Sequence, residues 1–405
     1  MNKKTAVALA VGAVFAAPVL AQTSTVQIYG KLYPELVLQK STGASSAADV
    51  TATLVAGDGN GLNHKSRASV DTSNSYVGFR GREMLGGGLN AIWQIETRTR
   101  FDTGAGNLWA GGRNSYLGLQ GGFGTVKLGN MDTIYKEYGA QVGSFFGVSS
   151  GNVVSSSAIL STHGLGTDGG SGFDETGFHV RALNSVQYQT PEFGDFQAGF
   201  QYKPDEAKGN PGRNLNSNLW SAGVKYEAGP IYVSVQHERH NDWLEISNQG
   251  GFALGTAATG SKDTATRLSA TYELMKAHKL AFDVSQMEWK ESGGAAGDFE
   301  KLKKRTWAVG WAANWGGPWR TELTYVRADE GTCSLVGGGA CSTDGLDANM
   351  ISAGVGYSMS KRTVLFGLAT KLENGKSALF SQTNNFDPNR GADTSAFAVG
   401  MSHSF

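Results

Sequence analysis

Ser395-Ala-Phe-Ala-Val-Gly-Met-Ser-His-Ser-Phe405 closes the chain, and its large apolar residues fall on alternate positions. Phe397, Val399, Met401 and Phe405 therefore share one face of an extended strand, while Ala396, Ala398, Gly400, Ser402 and Ser404 share the other. A soluble domain seldom ends on such a segment. A strand of this length, apolar on one face and small or polar on the other, suits the wall of a β-barrel in a lipid bilayer, where lipid-facing and lumen-facing residues alternate.

The opposite end of the chain agrees. Lys3 and Lys4 precede an apolar run from Thr5 to Ala17, followed by Pro18 and a small-residue cleavage site at Val19-Leu20-Ala21. The pattern predicts a cleaved secretory signal peptide over residues 1–21 and an exported domain over residues 22–405. The leader is too short to span a bilayer as a helix, and no later apolar run reaches the roughly eighteen residues a spanning helix needs. A membrane protein of this sequence must therefore cross with strands closed into a barrel. With 57 glycines, 8 prolines and a mean hydropathy of −0.26, the composition suits a barrel with a wet interior and glycine-rich loops, and by itself suits a secreted β-sandwich or solenoid nearly as well. Basic and acidic residues number 35 each, which leaves no global basic field for nucleic acid. Cys333 and Cys341 flank a glycine-rich stretch, and in an oxidising compartment they are candidates for a disulfide, the alternative being two free thiols. Their spacing excludes a redox CxxC motif or a zinc knuckle.

Alternating segments recur along the chain, joined by two sorts of connection. Tight turns rich in Gly and Pro fall at 85–88, 121–124, 191–194, 228–230, 274–278, 315–318 and 359–362. Long polar loops fall near 40–68, 102–112, 131–180, 205–217, 241–262, 291–303, 329–347 and 372–393, and they interleave strictly with the turns. Seven turns and eight loops imply sixteen strands: an all-β, transmembrane, antiparallel up-and-down barrel with strands of about 11 residues. The first strand, Thr23 to Leu38, pairs with Ser395 to Phe405 to remove the sheet edge, and Pro34 within it predicts a local irregularity. The third loop, about 131–180, is long and carries Phe145, Phe146 and several acids, which predicts that it folds inward and narrows the lumen.

Several segments resemble the general porins of Gram-negative outer membranes, particularly their beta-proteobacterial branch. They are Val26-Gln-Ile-Tyr-Gly-Lys31, Ser75-Tyr-Val-Gly-Phe-Arg-Gly81, Arg113-Asn-Ser-Tyr-Leu-Gly-Leu119, Phe123-Gly-Thr-Val-Lys-Leu-Gly129, Asn184-Ser-Val-Gln-Tyr188 and the terminal Phe405. The resemblance implies a homotrimeric sixteen-stranded channel in outer-membrane lipid, with loop 3 constricting each pore. It also implies that the barrel-assembly machinery reads the C-terminal strand through Phe405. In the family, basic side chains on the wall face loop-3 acids across the constriction. Lys31 and Arg181 match two such wall positions; alternation turns Lys31 inward because Val26, Ile28 and Leu32 face out, and turns Arg181 inward if Val186 and Tyr188 face lipid. The chain departs from the family at two wall positions usually held by arginine, where it carries Tyr76 and Asn130, and these departures predict weak ion selectivity.

Alternation alone adds further lumen charges. Val77 and Phe79 outward place Arg80 and Arg82 inward; Ala91, Trp93 and Ile95 outward place Glu96, Arg98 and Arg100 inward; Lys127 lies between outward Val126 and Leu128. Opposing them, loop 3 offers Asp132, Glu137, Asp168, Asp174 and Glu175, and a transverse field at the narrowest point would set ion preference. The expected function is passive diffusion of small hydrophilic solutes and ions through this pore, with no cofactor and no metal. A porin specific for one metabolite, with Tyr76 lining the constriction, is the alternative. Catalytic patterns lack their context. Gly147-Val-Ser-Ser-Gly151 and Gly164-Leu-Gly-Thr-Asp-Gly169 sit in one loop rather than between a strand and a helix. His237 and His240 point to opposite faces of a strand and cannot share a metal. Trp93, Trp220, Tyr226, Trp307, Trp311 and Trp319 suit aromatic girdles at the membrane interfaces.

Overall fold

Pairing of the two chain ends closes the sheet. The computed structural model describes residues 25–103, 112–139, 153–166, 177–212, 214–246, 258–381 and 386–405. The expected signal peptide, the Gly147–Gly151 pattern and the loop-3 acids Asp168, Asp174 and Glu175 lie outside the described residues.

The wall is one antiparallel sheet of nineteen segments. They are β1 (Thr25–Leu32), β2 (Glu35–Thr42), β3 (Arg67–Asp71), β4 (Tyr76–Gly86), β5 (Leu89–Arg98), β6 (Ser115–Gly121), β7 (Gly124–Asp132), β8 (Arg181–Gln189), β9 (Phe196–Lys203), β10 (Asn218–Ala228), β11 (Ile231–Asn241), β12 (Gly260–Leu274), β13 (His278–Ser292), β14 (Phe299–Asn314), β15 (Trp319–Ala328), β16 (Thr332–Leu335), β17 (Ala348–Ser358), β18 (Thr363–Asn374) and β19 (Asp393–Ser404). Three wall strands are each interrupted once, as β1/β2, β3/β4 and β15/β16, so the barrel has sixteen strands. The seven expected turns all join neighbouring strands, and the eight long connections all leave the wall from the other rim.

Closure runs through β19, which pairs with β18 on one side and with β1 and β2 on the other. Lys31 stands opposite Ser404 and Glu35 opposite Gly400, so the register passes unshifted across the Tyr33-Pro34 break. Proline removes one ladder donor there, but the Pro34 carbonyl still accepts from the Met401 amide at 3.1 Å. Beyond Ser404, the amide and carbonyl of Phe405 bond Gly30 at 3.1 and 3.2 Å. Strands β12 to β14 run to 15 or 16 residues, longer than the expected eleven, so the wall stands taller there and the 291–303 loop shrinks to a short connection above Ser292.

Outward faces are apolar and exposed, as lipid contact requires: Leu36, Leu38, Leu117, Leu128, Val224, Val235, Leu323, Val355, Phe397 and Val399 are examples. Outward aromatics gather in pairs, including Trp220 with Tyr202 and Trp319 with Tyr357. The buried clusters lie inside the barrel, where loops pack on the inner wall. Loop 3 enters the lumen after β7 and forms two short helices, α1 (Ile134–Gly139) and α2 (Ser157–Leu160).

Candidate functional site

Loop 3 is seated by backbone groups that need partners away from bulk water. The Tyr135 amide donates to Ser221 Oγ at 2.9 Å, and the Tyr138 carbonyl accepts from Tyr232 and Ser234. The Gly139 carbonyl accepts from Ser269, and farther along Thr306 Oγ1 donates to the Leu160 carbonyl at 2.8 Å. Apolar side chains complete the seat: Ile159 and Leu160 pack among Ala308, Val326, Met350, Leu372 and Phe380. Val153 and Val154 pack among Tyr33, Val37, Phe366 and Leu368. Loop 1 joins on the same side, with Leu54 and Val55 fully buried beside Leu165, Phe178, Trp289 and Leu302. Arg390 in the last loop bonds Asp58 of loop 1 and the Leu165 and Ser377 carbonyls, tying three loops together.

The lumen is therefore filled unevenly. Several inward residues of β13 to β18 are sealed: Asp283, Ser285, Thr306, Thr324 and Ser352 are at most 3% exposed. Inward residues of β1 and β4 to β7 remain accessible, among them Tyr29, Lys31, Tyr76, Arg80, Gln94, Tyr116 and Lys127. On these exposures, the second wall is the one that water reaches.

Its basic side chains rest on tyrosine rings. The Lys31 ammonium lies 5.5 Å from the Tyr76 ring centre and 5.2 Å from that of Tyr33, and it donates to Asn74 Oδ1 at 2.8 Å. Arg80 lies 4.7 Å from the Tyr29 centre and donates to Gln27. Lys127 lies 5.2 Å from the Tyr116 centre. None of these three cations has a carboxylate within ion-pair distance among the described residues. Arg113 lies 4.8 Å from the Tyr76 centre but is paired with Glu96, whose other oxygen accepts from the Tyr29 hydroxyl at 3.0 Å. Arg98 stands opposite Tyr76 on the next strand. Arg100 is exposed beyond the end of β5, because the chain leaves the ladder at Arg98 and alternation stops with it.

Asp132 does not face this wall across open water. Its carboxylate takes Lys136 at 2.9 Å, Arg181 at 3.0 Å and the Asn114 amide at 2.9 Å, so its charge is spent on its own side. Burial pushes the Lys136 ammonium below its usual range, and the Asp132 carboxylate opposes that shift. Arg181 lies opposite Asp132 in the ladder and also donates to Asn114. Alternation from Val186 cannot be carried to Arg181, since Asn184 is left-handed (φ 52°) and the β7/β8 register shifts between Gly129 and Met131. Glu137 accepts from the Gln189 and Gln187 amides and has no cation within ion-pair distance among the described residues. Asn130 donates to the Arg113 carbonyl at 3.1 Å, bracing the segment that carries that arginine.

Arg113 is the residue that alternation misses. It shares the parity of Leu117 and Leu119, which face lipid. Between Gln94 opposite Tyr116 and Thr97 opposite Gly112, one strand advances three residues and the other four. That extra residue reverses the facing of the side chains and brings Arg113 inward. Lys136 was hidden for another reason, because its placement depends on a short helix that only the lumen wall stabilises. Cys333 in β16 and Cys341 in the loop that follows it are joined by a disulfide. Among the described residues, no group of three or more His, Cys, Asp or Glu is placed to hold a metal.

The comparisons with known proteins agree with this architecture. A family profile described as Gram-negative porin matches residues 6–377. Outer membrane porin protein 32 of Delftia acidovorans is 28% identical over 345 residues, covering 83% of this chain and 85% of its own. Major outer membrane protein P.IB of Neisseria lactamica is 30% identical over 188 residues, covering 46% of this chain and 49% of its own. Among solved structures, an anion-selective porin from Comamonas acidovorans superposes with a TM-score of 0.69 at 23% identity, covering 95% of this chain and 100% of its own. The trimer form of OmpT from Vibrio cholerae superposes at 0.60 with 13% identity, covering 95% of this chain and 100% of that one. A closed sixteen-stranded barrel, a loop folded into its lumen and a match over most of the chain place this protein in the Gram-negative porin family, as an outer-membrane channel for passive diffusion of solutes and not an enzyme.

Proposed function

We propose that this porin is a general diffusion channel with a preference for small anions, and that Lys31, Arg80 and Lys127 on the open wall set that preference. The observation that carries the reading is that these cations face the water path without a carboxylate partner, while Asp132 is neutralised by Arg181 and Lys136. The weak selectivity expected from Tyr76 and Asn130 rested on the loss of two wall arginines, and the three unpaired cations that remain favour a preference for anions. Among the described loop-3 acids, only Glu137 keeps an uncompensated charge. Positive potential along a narrow water path with low-dielectric walls concentrates anions and repels cations.

The reversal potential under a salt gradient in planar bilayers tests this. Anion preference is expected, strongest at low ionic strength where the Debye length exceeds the pore dimensions. A cation-selective channel, or one without preference in dilute salt, would overturn it. The Tyr76 ring already carries Arg113 and Lys31, which favours the general channel over one specific for a single metabolite.

Three finer features belong to the same reading: a cleaved leader ending at Ala21, assembly as a homotrimer, and recognition of the C-terminal strand by the barrel-assembly machinery. The trimer form solved for OmpT supports the second. Intact mass of the detergent-solubilised assembly checks the first two, with three copies of a chain beginning at Gln22 expected.

A further inference from the structure

We infer that Tyr76 and Tyr116 are positioning residues for ion selectivity: neutral rests that hold Lys31 and Lys127 extended over the water path without neutralising them. The inference rests on the anion-preferring reading above. Its basis is a repeated arrangement. Tyr29 stands opposite Gly78 in the β1/β4 ladder, and Arg80, two residues beyond Gly78, lies over the Tyr29 ring. Tyr116 stands opposite Gly129 in the β6/β7 ladder, and Lys127, two residues before Gly129, lies over the Tyr116 ring. In the first case the ring lies flat on the glycine: a Cβ at Gly78 would stand 2.6 Å from Tyr29 Cζ. Tyr76 stands directly opposite Lys31 and supports it from the neighbouring strand.

A lysine in a wet lumen has three rotatable donors on a long stem, and left alone it samples many rotamers. A carboxylate would hold it but would cancel its charge. An aromatic face attracts the cation through its quadrupole and leaves the net charge intact. Tyr29 does a second job, since its hydroxyl holds Glu96. No described hydrogen bond is made by the Tyr76 or Tyr116 hydroxyl, so the ring alone is implicated at those two positions.

The test compares Tyr116→Leu and Tyr76→Leu, which keep bulk but remove the aromatic face, with Tyr116→Phe and Tyr76→Phe, which keep it. The readout is the anion-to-cation permeability ratio in dilute salt, on variants first shown to be heat-modifiable barrels. The leucine variants are expected to lower the ratio by about twofold, with the phenylalanine variants at the wild-type value. A ratio unchanged in both leucine variants, or lowered equally by phenylalanine, would overturn the inference. A wild-type channel without anion preference would instead overturn the reading beneath it. Should a leucine variant fail to fold, Tyr→Met at the same position carries the comparison.

Discussion

Phe405 and Gly30 form the seam of the barrel. The Phe405 ring covers Gly30 so closely that a Cβ there would stand 2.5 Å from the ring and 2.7 Å from the Tyr76 carbonyl oxygen. The ring could swing away, but the carbonyl belongs to the β1/β4 ladder and cannot. Gly30→Ala should therefore cost about 1 to 3 kcal/mol by overpacking. A lower temperature of conversion from the compact to the unfolded band in detergent gels is the expected outcome, and an unchanged temperature would show that the seam tolerates a methyl. At this scale the chain was readable wherever the pleat is regular. The inward facing of Lys31, Arg80 and Lys127 follows from their apolar neighbours, because side chains in a strand have a period of two. Arg113 was not, because a bulge breaks that period and leaves no mark that a count of two can detect.

Loop 3 is the element on which the function turns. Its length announced an inward fold, but its seating depends on bonds from β10, β11, β12 and β14 that no local pattern contains. Near its end both ring nitrogens of His179 are shut off from solvent and have no hydrogen-bond partner among the described residues. Burial first, then the cations Lys136 and Arg267, hold its pKa well below the ordinary imidazole value, with Asp132 opposing and Arg181 adding to the shift. Released from its seat, His179 would take up a proton below about pH 6.5, whereas seated it does not. The seat is thus at full strength above that pH and weakens as pH falls. Bilayer recordings should show more frequent conductance fluctuations at pH 5 than at pH 7, and His179→Asn should flatten that dependence. Equal noise at both values in the wild type would remove this account.

The uneven burial of the inner wall predicts a water path that runs off-centre. Cysteine substitution reads this directly, since the two native cysteines are disulfide-bonded and no free cysteine is present among the described residues. Arg80→Cys and Lys127→Cys should react with a water-soluble thiol reagent and lower conductance. Ser285→Cys and Thr306→Cys, also inward but beneath loop 3, should not. Equal reactivity on both sides would mean a central pore. Strand number, turn placement, strand facing and the closing pair of chain ends were all legible before any coordinates, because each depends on residues adjacent in sequence or on a period of two. The side of the lumen that stays open, the acid that is neutralised and the arginine that turns inward were decided only by the folded chain. Those outcomes depend on contacts between loops and walls tens to hundreds of residues apart, such as Thr306 with Leu160 and Arg390 with Asp58.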